Sequence, residues 1–326
     1  MHASQRRRAR RVISAVAPGM AVALLIAAVL ATQGDAVLAA FVACPPWVIA
    51  GAVVAHLLTL ALRTEAWRTV LHGAGGNELT SHTLHTANAG AFLAGTVQGS
   101  AALAARIALI RRLGGDRAPS VSQIALADAP ILVFEVCTSA ALAAVASTAV
   151  SAIPAWTPWV MLIGAGIALG ALRLAHDRFR QHRWTAGLGV LASPRLRNRL
   201  ALAVCAFTLM ALVRTWIVLA GFGLPTAPAD VALVLFSMGT IGLLPIGVGT
   251  GPTATVVALG STDLAAATAA GMVVSAATVV AVILYAAICW SWRITARAEE
   301  PKLAEVVPLP LPLPARQAEP DLDLAA

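Results

Sequence analysis

Phe236-Ser-Met-Gly-Thr-Ile-Gly-Leu-Leu-Pro-Ile-Gly-Val-Gly-Thr-Gly-Pro-Thr-Ala-Thr-Val256 lies in the most apolar third of the chain, yet its composition forbids one regular helix. Pro245, Gly247, Gly249, Gly251 and Pro252 fall within eight residues. Each proline removes a backbone donor, and each glycine disfavours helix by about 1 kcal/mol relative to alanine. Hydrocarbon does not accept unsatisfied backbone, so irregular chain at membrane depth survives only inside protein or beside a water-filled cavity. The stretch therefore predicts two half-helices that meet at a buried break and place free N–H groups near mid-membrane.

The surrounding chain supplies the membrane. Of 326 residues, 59% are hydrophobic and 12% charged, with a mean hydropathy of +0.82. Recurrent apolar runs near twenty residues predict an all-α, polytopic helical membrane protein rather than a barrel. The net charge of +8 does not point to nucleic acid, because the Lys and Arg sit in short patches between apolar runs, as topology signals do. Cys44, Cys137, Cys205 and Cys289 have no metal-ligand spacing and read as small apolar residues. His72, His82 and His85 form no defensible metal set, and no nucleophilic triad or nucleotide-binding loop is present. Neither a cofactor nor an enzymatic activity is expected.

Outward from the opening stretch, the positive-inside rule sets a topology. Residues 1–11, with five arginines, form a basic cytoplasmic N-terminus, and residues 12–297 form the membrane domain. Six spans are expected, at 12–32, 47–62, 120–151, 160–174, 200–221 and 264–290. Residues 33–46 read as a short outer loop, 173–199 as an arginine-rich cytoplasmic loop, and 72–85 as a polar, Gly-rich connection. Residues 84–110, broken by Gly90, Gly95 and Gly99, are expected to enter from the cytoplasm and turn back. Residues 231–259 are expected to do the same from outside. With both hairpins in place, every Lys and Arg except Arg214 falls on the cytoplasmic side, and the outer turns have none. Residues 298–326 read as a disordered cytoplasmic tail with a polyproline II stretch at Val307–Ala315. Both termini then lie in the cytoplasm, and the protein in the cell membrane.

The scheme has an internal symmetry. Span, inner hairpin and span over 47–151 are followed by span, outer hairpin and span over 200–290 in opposite orientation. This is the layout of inverted-repeat transporters, whose sites lie between the breaks.

Charges inside apolar runs are costly and usually pair or line a path. Arg214 lies about 21 Å and Glu135 about 22 Å along their spans, at 1.5 Å per residue. The expectation is that Arg214 meets an anionic headgroup, with Glu135 as partner or proton-linked switch. A purely structural ion pair is the other reading. Asp128, seven residues before Glu135, shares its helix face. Arg106, just after the inner turn, is expected to gather phosphate at the cytoplasmic entrance, although topology alone also places arginines there. Gly247, Gly249, Thr250, Gly251 and Thr253 form the outer break, where half-helix N–H groups suit a phosphate. Close packing through small residues is the alternative there.

Trp67-Arg68 before a Gly-rich turn, then a hairpin, Arg106, Leu113-Gly-Gly, and later Leu243-Leu-Pro-Ile-Gly-Val-Gly-Thr-Gly251, resemble the flippase-like membrane domain of lysylphosphatidylglycerol synthases and its stand-alone relatives. The resemblance covers roughly residues 10–295. Where the family carries a Glu after its glycines, this chain has Thr253-Ala254. The resemblance implies a lipid flippase that moves an anionic phospholipid or polyprenyl-phosphate lipid between leaflets, without a soluble aminoacyl-transferase domain. Two other functions stay open. One is a proton-coupled secondary transporter of a small anion, with Glu135 or Asp128 carrying the proton. The other is a non-transporting membrane partner of an envelope-biosynthesis enzyme, a glycosyltransferase or synthase, docked through the 307–315 tail.

Overall fold

The structure is a computed structural model that describes residues 31–74, 79–97, 101–148, 153–241, 250–259 and 263–299. The described residues form helices and no strands. In chain order they are α1 (Ala31–Ala43), α2 (Pro46–Gly73), α3 (Ser81–Val97), α4 (Ala101–Gly114), α5 (Val121–Ala146), α6 (Thr157–Arg178), α7 (Pro194–Gly221), α8 (Pro228–Ile241), α9 (Thr250–Leu259) and α10 (Leu264–Glu299). Two 3₁₀ turns lie between them, at Gly115–Arg117 and Arg183–Leu191.

Local chemistry sets several boundaries. Pro46 opens α2 where its missing N–H costs nothing. Ser120 and Gln123 form a reciprocal capping box at the start of α5. Ser193 caps α7 ahead of Pro194, and Asp263 Oδ1 accepts the Ala266 N–H at the start of α10. Pro130 lies inside α5 without ending it.

Among the described residues five helices, α2, α5, α6, α7 and α10, are long and apolar enough to cross a membrane. They match five of the six expected spans, and the first, at 12–32, falls almost wholly outside the described residues. Large aliphatic side chains face outward on the perimeter, among them Ile163, Ile167, Leu202 and Ile294, as lipid-facing surfaces require.

Two expected loops and one expected span end are corrected. Residues 33–46 are helical as far as Ala43, because the run 36–43 has neither glycine nor proline before Pro45-Pro46. The helix expected to end at Leu62 runs on to Gly73, so Arg63 and Arg68 are helix-interior positions. The stretch 173–199 is not a solvated loop. α6 continues to Arg178, α7 begins at Pro194, and between them Leu188, Val190 and Leu191 are buried against α2 and α5. Gly73 and Gly189 meet backbone to backbone there, and a Cβ on either would collide with the other chain segment.

Two buried cores organise the bundle. One gathers Trp67, Leu71, Ile110, Ile124, Ile131, Leu188 and Leu200. The other gathers Val48, Ala52, Val218, Leu219, Val234, Leu259 and Val273. α2 and α7 pack along each other and serve both cores with opposite ends, so they run antiparallel.

Each core holds one pair of short helices. α4 folds back along α3: Gly95 approaches Ala102, Asn88 bonds Arg106, and Leu79 meets Gly114. α9 folds back along α8, since Ala258 and Leu259 at its end pack with Val231, Leu233 and Val234 near the start of α8. Neither 84–110 nor 231–259 is a single uninterrupted helix. The joining residues 98–100 and 242–249 lie outside the described set, and with them Gly247 and Gly249.

Candidate functional site

Between the two cores lies a cavity of about 370 Å³. α2 supplies His56, Thr59 and Arg63, α7 supplies Arg214, and α10 supplies Ser275 and Thr278. The tips of both folded-back pairs reach it, through Thr96 and Ala102 on one side and Met238, Thr250 and Gly251 on the other. Phe92, Val274, Val279 and Val282 add apolar wall. The position follows from the packing: residues 56–63 of α2 lie between Ala52 of one core and Ala66 of the other.

Arg214 is 7% exposed. Its Nη1 donates to His56 Nδ1 at 2.7 Å and to Thr278 Oγ1 at 3.1 Å. Thr278 passes its own proton to the Val274 carbonyl at 2.8 Å, so its oxygen is free to accept. The buried Nε of Arg214 has no hydrogen-bond partner. Among the described residues no carboxylate lies within 4.0 Å of this guanidinium. A buried cation served only by neutral acceptors, with a spare donor, has the chemistry to receive an anion.

The expected Arg214–Glu135 pairing is corrected. Glu135 instead meets Arg63, with Nη2 and Oε1 2.7 Å apart. This is an ion contact without hydrogen-bond alignment, since neither Glu135 Oε1 nor Arg63 Nε makes a hydrogen bond. Arg63 lines the cavity, and Glu135 lies behind it in contact with Arg63.

Asp128 and Arg106 come together elsewhere. Arg106 is 5% exposed, so it is not an open entrance residue. Its Nε donates to Asn88 Oδ1 at 2.7 Å, its guanidinium lies 4.1 Å from the Trp67 ring centroid, and Nη1 is 3.9 Å from Asp128 Oδ1. This cluster fastens the α3–α4 pair to α2 and α5, and none of its members lines the cavity. Asp128 and Glu135 do share a helix face, but each carboxylate is taken by a different arginine.

Thr250 and Gly251 open α9 at the cavity wall, whereas Thr253 is buried behind them. Gly251 and Pro252 press on Gly271 of α10. A Cβ on Gly271 would come within 2.7 Å of the Gly251 carbonyl oxygen. Small size at Gly251 thus serves close packing as well as proximity to the cavity.

Sequence reasoning misses His56, Thr278 and the role of Arg63. A lone histidine in an apolar run is the one available signal for the first. It also misses a polar chain further along α2. Tyr285 Oη meets Thr64 Oγ1 at 3.0 Å and His85 Nδ1 at 2.6 Å, and His85 Nε2 lies 3.4 Å from Glu65.

No protein family, no curated protein and no solved structure matches the chain.

Proposed function

We propose that the chain is a flippase-like membrane protein that moves a lipid with an anionic headgroup, an anionic phospholipid or a polyprenyl phosphate, between leaflets. The observation that carries this reading is the buried Arg214, without a carboxylate among the described residues and with an unused Nε, in a cavity reached by both folded-back pairs. A phosphate held there would draw on the Arg214 guanidinium and on the N-terminal end of α9. The apolar walls and lipid-facing perimeter suit a molecule whose acyl chains stay in the bilayer.

In this reading α3–α4 and α8–α9 are re-entrant hairpins that enter from opposite faces, within an inverted repeat that has its arginine-rich ends in the cytoplasm. The resemblance to the membrane domain of lysylphosphatidylglycerol synthases agrees with it. No catalytic step and no cofactor is invoked.

The test is reconstitution in liposomes with a fluorescent phosphatidylglycerol in one leaflet, with its exposure followed by dithionite quenching. Wild type is expected to accelerate exchange, and Arg214→Ala to lose about tenfold or more, the loss of one charge-assisted contact. Equal rates with both proteins would reject the role of Arg214. Uptake of free phosphate without lipid exchange would replace the lipid by a small anion.

A further inference from the structure

Arginine has donors only, so the contact from Arg214 Nη1 makes His56 Nδ1 an acceptor. The ring proton therefore sits on Nε2, and His56 is neutral in the empty cavity. An anion that takes over the guanidinium removes the donor from Nδ1 and leaves that lone pair beside a negative charge. A proton on Nδ1 then restores a hydrogen bond, this time donated to the anion, and adds a second cation next to it.

The described surroundings offer no better acceptor for that proton. Among the described lining residues, α2 offers Thr59 and Arg63 besides His56, and α7 offers Arg214. α10 contributes the hydroxyls of Ser275 and Thr278, and α3 contributes Phe92 and Thr96. Met238 and Thr250 face it from α8 and α9. No carboxylate is in this set, and Glu135 is held behind Arg63. Within the same set, His56 carries the one basic side chain that is not already a cation.

We propose that the cavity takes up its anion together with one proton, bound at Nδ1 of His56. This rests on the anion-site reading of Arg214 given above. It assigns the coupling proton to a residue other than the carboxylates of α5, both of which are committed to arginines. Linkage fixes the sign. The anion strengthens the hold of His56 on its proton, so a lower pH strengthens the hold on the anion by the same factor. Binding tightens as pH falls and levels off once His56 is protonated in the empty site too. An anion moving with a proton also carries one less net charge, so a pH gradient across the membrane can drive it.

The experiment is calorimetry on the full chain in phosphatidylcholine nanodiscs. The probe is dioctanoyl phosphatidylglycerol, and sulfate, which takes up no proton in this range, forms a separate arm. Each titration is run in two buffers of different ionisation enthalpy. For wild type the heats should differ by about one proton per anion, and affinity should rise about tenfold from about pH 7.5 to about pH 6.5. His56→Gln should bind more weakly at the lower pH, with no proton uptake and no slope. Should that variant fail to fold, the wild-type proton count decides alone. Proton-linked binding of sulfate but not of the lipid supports the proton site and assigns it to free anions. Wild-type binding with no proton uptake overturns the proton site and leaves the anion site standing. An unchanged slope in His56→Gln also overturns it. Absence of binding in both arms overturns both readings.

Discussion

Arg106 and Arg214 are both nearly buried, and their partners separate them. Arg106 is engaged by Asn88, Trp67 and Asp128. Arg106→Ala would strip Asn88 Oδ1 of its donor and Asp128 of its neighbouring cation, and is expected to cost about 3 kcal/mol, read as a fall in the thermal midpoint in detergent. Arg214 faces neutral groups and keeps an unused donor. Arg214→Met removes a desolvated charge that has no carboxylate partner among the described residues, and is expected to raise stability by about 1 kcal/mol while abolishing the proposed lipid exchange. Opposite signs in one melting series would separate the structural arginine from the functional one. A lone charge in an apolar run makes Arg214 legible from sequence. Arg63 reads there as a topology signal, because it begins a cluster of charges that resembles the end of a span. His56 shows in the sequence only as a lone histidine in an apolar run, and its pairing with Arg214, 158 positions away, is not legible.

The short helix pairs depend on close backbone approach at glycine. Gly271→Val would drive a side chain into Pro252 and the carbonyl of Gly251. It is expected to destabilise by about 2 kcal/mol or more and to shift α9 off the cavity wall. Gly166 and Gly170 on α6 have open space where a Cβ would sit, with nothing within 4 Å. Leucine there is expected to change stability by no more than about 0.5 kcal/mol. The same melting series checks both. Prolines and glycines announce the fold-back of 231–259, because they deny a continuous hydrogen-bond ladder. The 183–191 turn is not legible in the same way, since its flanking arginines outweigh the apolar run Leu188-Gly-Val-Leu191, which is what the packing uses.

At the scale of the whole molecule, a re-entrant pair has both of its ends on one side of the membrane. In a variant without native cysteines, single cysteines at Thr80 and Arg117 flank the α3–α4 pair, and others at Thr226 and Asp263 flank the α8–α9 pair. Membrane-impermeant maleimide is expected to label the first two from one face only and the second two from the other. Labelling of Thr80 and Arg117 from opposite faces would make α3–α4 a crossing element. Composition is enough to recognise helices in a membrane. The shared use of α2 and α7 is not legible, because it depends on contacts between residues far apart in the chain.

That sharing bears on biosynthesis. α2 leaves the ribosome more than a hundred residues before α7 is complete, and during that interval Trp67, Leu71 and Val48 have no α7 surface to bury against. A ribosome-bound intermediate halted before residue 194 is therefore expected to be protease-sensitive and to engage membrane chaperones. Release of the α7 segment should convert it to a resistant form in a single step.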